Sequence, residues 1–228
     1  MKNIPVHLAI IPDGNRRWAK SKGLPTFEGH RKGFEAVSQI AKRARDLGVK
    51  VFTVWAFSTE NWNRTKEEVS HLMKIYEEWV RKNTDKAIKD RVRVIHLGRK
   101  DRIPQALRRA LENAEKKTQK FNKNFLVLAL DYGGRDEILR AFQKAKNSKK
   151  NIRSEEDVAG LLDTKNLPYP YPDLVVRTSG EQRTSGFMSW QTAYSEFIFV
   201  QKHLPDFKPN DLERCFEEFA TRKRRFGK

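Results

Sequence analysis

Short unbroken apolar runs alternate along this chain with longer stretches in which apolar residues return every three or four positions. Val6-His7-Leu8-Ala9-Ile10-Ile11 is a run of strand length. In the next stretch, 29–47, Phe34, Val37, Ile40, Ala41, Ala44 and Leu47 recur at helical spacing, which predicts a helix that Gly48 ends. Residues 51–57 predict a second strand. Thr65 and Glu68 have the form of a capping box ahead of Val69, Leu72, Met73, Tyr76 and Val80, so a long helix follows. The alternation continues with a strand at 92–97, a helix opening at Pro104, a strand at 125–130 and a helix through Ile138, Leu139 and Phe142. A short helix at 154–162 is capped by Ser154, strands at 174–177 and 197–200 come next, and a last helix begins near Asn210. The stretch 144–153 reads as loop, and the prolines at 168, 170 and 172 make a stiff connector.

Strands that alternate with helices need crossover connections. The expected fold class is therefore α/β, with a central, mainly parallel sheet flanked by helices on both faces. A length of 228 residues suffices for one core, so a single domain over 1–228 is expected.

Composition narrows the function classes. No run reaches the roughly 18 apolar residues of a membrane span, and the start lacks the apolar centre of a secretion signal, so a cytoplasmic protein is expected. One cysteine, Cys215 in the last helical pattern, allows neither an internal disulfide nor a cysteine metal cluster. The excess of 47 Lys+Arg over 29 Asp+Glu, a formal charge of +18, points to a polyanionic partner: nucleic acid, an anionic membrane surface or a phosphorylated small molecule.

The residues that follow the strands separate these partners. In open parallel sheets, ligands sit outside the carboxyl ends of the strands. After the first strand comes Asp13-Gly14-Asn15-Arg16-Arg17, and after the second Ser58-Thr59-Glu60-Asn61-Trp62-Asn63-Arg64. Asp131-Tyr132-Gly133-Gly134-Arg135 follows the 125–130 run, and Arg177-Thr178-Ser179-Gly180-Glu181-Gln182-Arg183-Thr184-Ser185 the 174–177 run. Glycine admits a ligand close to the backbone, arginine grips phosphate oxygens with two N–H groups, and a few carboxylates among them can hold a hard cation such as Mg²⁺. The implied ligand is a metal-bound diphosphate. A nucleic-acid surface would interleave aromatic and basic residues, whereas here carboxylates accompany the arginines at each strand end, so no nucleic acid is expected. There is no Gly-x-x-x-x-Gly-Lys-Ser/Thr loop, no complete dinucleotide fingerprint and no Asp-Asp-x-x-Asp cluster.

Five segments, "HLAIIPDGNRRWAK", "FSTENWNR", "YGGR", "DLVVRTSGEQRTSGFMSWQTAYSEF" and "RRFG", resemble in content and order the cis-prenyltransferase family, the undecaprenyl diphosphate synthase-like isoprenyl transferases. The resemblance spans nearly the whole chain. It implies a homodimer with an apolar tunnel under the strand ends, Mg²⁺ as cofactor, and condensation of an allylic diphosphate, usually farnesyl diphosphate, with isopentenyl diphosphate in cis geometry. By that likeness Asp13 and Asn61 are the catalytic candidates, and Asp13 and Glu196 the metal ligands, Glu196 reaching across the dimer. Gly14, Asn15, Arg16, Arg17, Trp18 and His30 would serve the allylic diphosphate. Ser58, Glu60, Trp62 and Arg64 fall on a mobile second motif, and Arg177, Arg183 and Ser185 match the isopentenyl diphosphate positions. The segment Arg225-Phe226-Gly227 would complete the neighbouring subunit's site.

Four positions depart from the bacterial pattern: Pro12 where methionine is frequent, Thr26 where arginine is frequent, and Asp131 and Gly186 where asparagine is usual. Asp131 reads either as an added carboxylate near the site or as a turn residue. A basic nucleic-acid-binding module is the main competing reading from another class, and a non-catalytic partner subunit of the same family is the second; such partners typically lose the first-motif aspartate, and Asp13 and Glu196 are present. A strongly apolar product and the basic surface together suggest peripheral contact with an anionic membrane.

Overall fold

The apolar runs pair into one six-stranded sheet in a computed structural model that describes residues 3–223. Its strands are β1 (His7–Ile11), β2 (Val51–Ser58), β3 (Val92–Leu97), β4 (Asn124–Tyr132), β5 (Leu174–Arg177) and β6 (Glu196–Phe199), in the order β3-β4-β2-β1-β5-β6. Every neighbouring pair is parallel. The helices are α1 (Asn15–Ser21), α2 (Thr26–Asp46), α3 (Lys66–Lys89), α4 (Gln105–Thr118), α5 (Gly134–Asn147), α6 (Glu155–Ala159) and α7 (Pro209–Thr221).

Side chains on successive strand residues point to opposite faces, and that alternation splits the core in two. Leu8, Ile10, Phe52, Val54, Leu128, Val176 and Ile198 face a layer built from α2, α3, α4 and α7. Ala9, Ile11, Val51, Val127, Ala129, Tyr132 and Val175 face the other way, onto Leu167, Phe187 and Met188. The first turn of α5 joins this second layer through Glu137, which accepts from the Tyr132 hydroxyl at 2.6 Å. Leu8 and Ile10 are wholly excluded from water, and burial of each side chain is worth about 1.5–3 kcal/mol.

β1 lies mid-sheet, with β2 on one side and β5 on the other. From β1 the chain passes to β2, and from β5 it passes outward to β6, so the two connections leave in opposite directions. Their carboxyl ends therefore flank an open crevice, the place where such sheets bind ligands.

Several boundaries differ from the sequence expectation for identifiable reasons. The seven-residue helix α1 was not expected: it is polar and carries no apolar repeat. α2 begins at Thr26 rather than 29, and β4 runs on to Tyr132, so Asp131 is a strand residue at φ +51. α5 continues to Asn147. Its buried face carries Ala141 and Ala145, while Leu139 and Phe142, whose spacing reads as core, are 54% and 60% exposed. Thr65 caps α3, its hydroxyl accepting from the Glu68 N–H at 3.2 Å, but the expected capping box is only half formed, since the Glu68 carboxylate takes Arg64 instead.

Candidate active site

Asp13 and Arg177 meet at the carboxyl ends of β1 and β5. Asp13 is held first by its backbone: its N–H donates to Thr178 Oγ1, that hydroxyl donates back to the Asp13 carbonyl, both at 2.8 Å, and the Leu204 N–H adds a third bond at 3.0 Å. Gly14 then turns the chain into α1 at φ +92. A Cβ there would also stand 2.5 Å from both Ser179 Oγ and His203 Nδ1, so only glycine fits.

The Asp13 carboxylate is ringed by donors. Oδ1 accepts from the Gly14 N–H at 2.6 Å and from Arg17 at 3.1 Å, and Oδ2 accepts from Arg177 Nη2 at 2.9 Å. Burial opposes its charge, yet Arg177, the Gly14 N–H and Arg17 outweigh burial and hold the carboxyl below the usual aspartate range. Arg177, with 6% of its side chain exposed, also donates through Nη1 to Ser185 Oγ at 3.0 Å and to the Arg183 carbonyl.

Facing this pair is a second lobe from α1, α2 and the β2–α3 connection. The Ser58 N–H donates to Asn61 Oδ1 at 3.1 Å, closing the 3₁₀ turn Thr59–Asn63. Arg64 donates to Glu68 at 3.0 Å, while Arg16 and His30 Nε2 each lie 3.8 Å from the same carboxylate. His30 is buried, and burial first, then the positive charges of Arg64 and Arg16, pushes its imidazole down to about 4, against the pull of Glu68. Glu68 was read from the sequence only as a capping residue. Its place as the shared partner of three basic groups depends on α2 packing beside α3, and only the i,i+4 spacing from Arg64 hinted at it.

The two lobes enclose a cavity of about 230 Å³. One wall is polar, with Asp13, Ser58, Asn61, Arg64, Arg177 and Ser185; the other runs inward past Phe34, Val37, Val54, Ala56 and Tyr76. Outside it lies a wider mouth of about 660 Å³ lined by Asp13, Gly14, Asn15, Arg16, Arg17, Thr26, His30 and Arg64. Among the residues that line this cavity, Asn15 Oδ1, His30 Nε2 and Arg177 Nε are buried without hydrogen-bond partners. Buried polar groups are ordinarily satisfied, so this concentration marks a place prepared for a ligand.

The remaining candidates fall around this centre or away from it. Arg183 is exposed and pairs with Glu181, which also takes Arg17 at 3.2 Å. Trp18, Glu60 and Trp62 line neither the cavity nor its mouth; Trp62 instead donates its indole N–H to Asp131 at 2.8 Å. Glu196 pairs with Leu174 in the sheet register, at the far end of the strand pair from Arg177 and roughly 10 Å from it along the strand. It bonds Arg222 at 2.8 Å, so one chain does not bring Glu196 to Asp13. Arg225-Phe226-Gly227 lies outside the described residues. Among the described residues no group of three or more His, Cys, Asp or Glu is placed to hold a metal. Asp13, the one carboxylate on the cavity wall, nonetheless fits Mg²⁺, which takes one or two carboxylates together with substrate phosphate oxygens.

Comparison with known proteins places the chain in a family. Residues 11–227 match the Prenyltransf family, described as "Putative undecaprenyl diphosphate synthase". An isoprenyl transferase of Aquifex pyrophilus is 44% identical over 99% of this chain and 96% of its own. The crystal structure of lavandulyl diphosphate synthase from Lavandula x intermedia, in complex with dimethylallyl diphosphate, superposes with a TM-score of 0.94 at 38% identity, covering 98% of each chain. A probable undecaprenyl diphosphate synthase from Campylobacter jejuni gives a TM-score of 0.83 at 29% identity, covering 99% of this chain and 100% of that one.

Proposed function

Because the chain belongs to the undecaprenyl diphosphate synthase family of isoprenyl transferases, and so is an enzyme acting on prenyl diphosphates, we propose that it condenses isopentenyl diphosphate with an allylic primer, farnesyl diphosphate or one like it, to give a Z-polyprenyl diphosphate. The observation that carries this reading is the two-sided cavity: cations and one carboxylate at the strand ends, and an apolar wall leading inward between α2, α3 and β2. A prenyl diphosphate has the same division, a charged head on an apolar tail.

In this reading Asn15, Arg16, Arg17, His30 and Arg64 receive the allylic diphosphate, and the Gly14 backbone lets it approach. Arg177, Arg183 and Ser185 orient isopentenyl diphosphate from the other side of Asp13. The allylic C–O bond breaks, its electron pair leaving with the diphosphate, and the surrounding guanidinium groups stabilise that growing negative charge. The alkene of isopentenyl diphosphate attacks the cationic carbon, and loss of one proton restores a double bond. Asp13 and the diphosphate oxygens are the bases within reach of that proton, while Asn61, bonded to the Ser58 N–H, shapes the cavity wall beside them. Mg²⁺ shared by Asp13 and the diphosphates would supply further neutralisation of the leaving group.

A homodimer belongs to the same proposal. Leu139, Phe142 and Tyr194, 54%, 60% and 73% exposed, offer apolar surface to a second copy, and a second copy is what would bring Glu196 to Asp13, which one chain does not. Among the described residues no helix is long and apolar enough to cross a membrane, so membrane contact in this scheme is peripheral, through basic side chains. The test is incubation with farnesyl diphosphate, radiolabelled isopentenyl diphosphate and Mg²⁺, with product length read by reversed-phase chromatography. Incorporation should vanish with EDTA and fall by about 10³ or more in Asp13→Ala. Absence of product from farnesyl, geranyl and dimethylallyl primers alike would overturn the reading for the isolated chain.

A further inference from the structure

Asp131, at the carboxyl end of β4, is wholly excluded from solvent and stands at φ +51, a conformation uncommon outside glycine, asparagine and aspartate. A carboxylate is retained in such a place only when it is paired and fully hydrogen-bonded. Here Oδ1 accepts the Trp62 indole N–H at 2.8 Å, Oδ2 accepts Arg102 Nε at 2.9 Å, and Arg102 Nη2 closes the fork onto Oδ1. The guanidinium also lies 5.8 Å from the centroid of the Trp62 ring, within cation–π range. One ion pair thus grips the indole at its polar edge and on its face.

Trp62 belongs to the Thr59–Asn63 turn, and its ring stands edge-on to Phe57 at 5.2 Å. The turn is held a second time just past β4, where Thr59 packs on Gly133: a Cβ there would come within 2.4 Å of Thr59 Oγ1. On its other side this turn supplies Ser58 and Asn61 to the cavity and leads into Arg64. Arg102 lies on the β3–α4 connection, which is itself tied to β4 by the Arg99 N–H donating to the Asp131 carbonyl at 3.0 Å. An asparagine at 131 would satisfy the indole N–H equally well. The negative charge is needed for Arg102.

We propose that Asp131 and Arg102 are positioning residues for the reaction, forming a latch that holds Trp62, and through it the Thr59–Asn63 turn with Ser58, Asn61 and Arg64, against the diphosphate cavity. The inference rests on the prenyl diphosphate reading for its kinetic consequence but not for its structural one. It predicts that loosening the latch weakens substrate holding more than it slows chemistry.

The experiment compares the wild type with Arg102→Met, Asp131→Asn and the double variant, by steady-state kinetics and by backbone hydrogen exchange with and without inorganic pyrophosphate. With 40% of the Arg102 side chain exposed, its guanidinium can turn to water when Asp131 is replaced, so Asp131→Asn should fold even if Arg102→Met, which strands the buried Asp131 carboxylate, does not. Each single variant should raise KM for the allylic diphosphate roughly tenfold with kcat within about threefold, and the double should be no worse than the worse single, as for one shared interaction. Exchange over 59–64 should rise in every variant while β1 and β5 keep wild-type protection. Wild-type KM together with wild-type exchange over 59–64 in folded Asp131→Asn or folded Arg102→Met would overturn the latch. So would exchange that rises evenly across β4 and α4 with KM unchanged, which would mean support of the sheet alone. If the wild type turns over no prenyl diphosphate, the functional reading fails by itself, and exchange over 59–64 still decides the latch.

Discussion

Two polar clusters in this molecule use the same residue types to opposite ends. Around the start of α5, Arg140 spans Asp136 at 2.8 Å and both oxygens of Asp163 at 2.7 and 2.6 Å, and Arg99 completes Asp136 at 2.8 Å. Glu137 accepts from the Asp163 N–H, the Tyr132 hydroxyl and Gln191, while its burial pushes its carboxyl up. At the strand ends, Arg16, Arg17, Arg64 and Arg177 share Asp13, Glu68 and Glu181, with neutral His30 beside Glu68, so four cations face three carboxylates. Three of the six buried, unpartnered side-chain atoms found among the described residues line the cavity here, on Asn15, His30 and Arg177, against one, Gln191 Oε1, beside the α5 cluster. A closed network builds scaffold; an open one with surplus cations awaits an anion.

Removing the central arginine of each cluster should separate the two most sharply. Arg177→Met should lower kcat/KM by about 10³, the scale of losing a donor aimed at developing charge. Arg140→Met should instead leave activity per folded molecule within about threefold and reduce stability by roughly 3 kcal/mol, because Asp163 and Asp136 lose the partner that justified their burial. Urea denaturation read beside initial rates distinguishes these outcomes. An Arg140→Met enzyme that is stable but inactive would break the comparison.

Acid titration sharpens it on a smaller scale. His30 in the open cluster and His7 in the core, bonded to Thr53 at 2.7 Å and the Tyr169 carbonyl at 2.8 Å, are both pushed down to about 4, chiefly by burial. An unfolded histidine titrates at about 6.5, so between pH 6.5 and 4 the unfolded chain binds more protons and stability falls as pH falls, by up to about 3 kcal/mol per group. The difference lies in rescue. Pyrophosphate placed beside His30 favours the imidazolium, so ligand binding should tighten on acidification and restore part of the Tm lost; His30→Asn should abolish that gain, and the His7 share should remain. Thermal melts from pH 7 to 5 with and without pyrophosphate measure both.

The same contrast explains what the sequence could reveal. The strands were legible because the central parallel strands, buried on both faces, are almost purely apolar, and Asp13 and Arg177 were legible because they stand at the ends of such runs. α1 was hidden by its polarity, and the exposed Leu139 and Phe142 by a spacing that suits core packing and an interface alike. Glu68 carried a sufficient local explanation as a cap residue, which concealed its long-range partners. Asp131 looked like a turn residue because the end of β4 is set by pairing with β2, where Ser58 meets Tyr132, and not by its own apolar pattern.

The smallest effect tests whether that local cap matters to the open cluster. Thr65 and Ser154 make the same bond, each hydroxyl accepting the backbone N–H three residues on, at 3.2 and 3.3 Å. Losing such a cap costs about 0.5–2 kcal/mol of helix stability. α6, five residues long and with no buried residue, has little to lose, so Ser154→Ala should shift Tm slightly and leave KM untouched. Thr65 fixes the first turn of α3, where Glu68 must meet Arg16, His30 and Arg64. Thr65→Ala should therefore cost about 1 kcal/mol and raise KM for the allylic diphosphate two- to threefold, on the order of 0.5 kcal/mol in binding. Equal KM values in the two variants would show that packing of α2 on α3, rather than the cap, holds Glu68 in place.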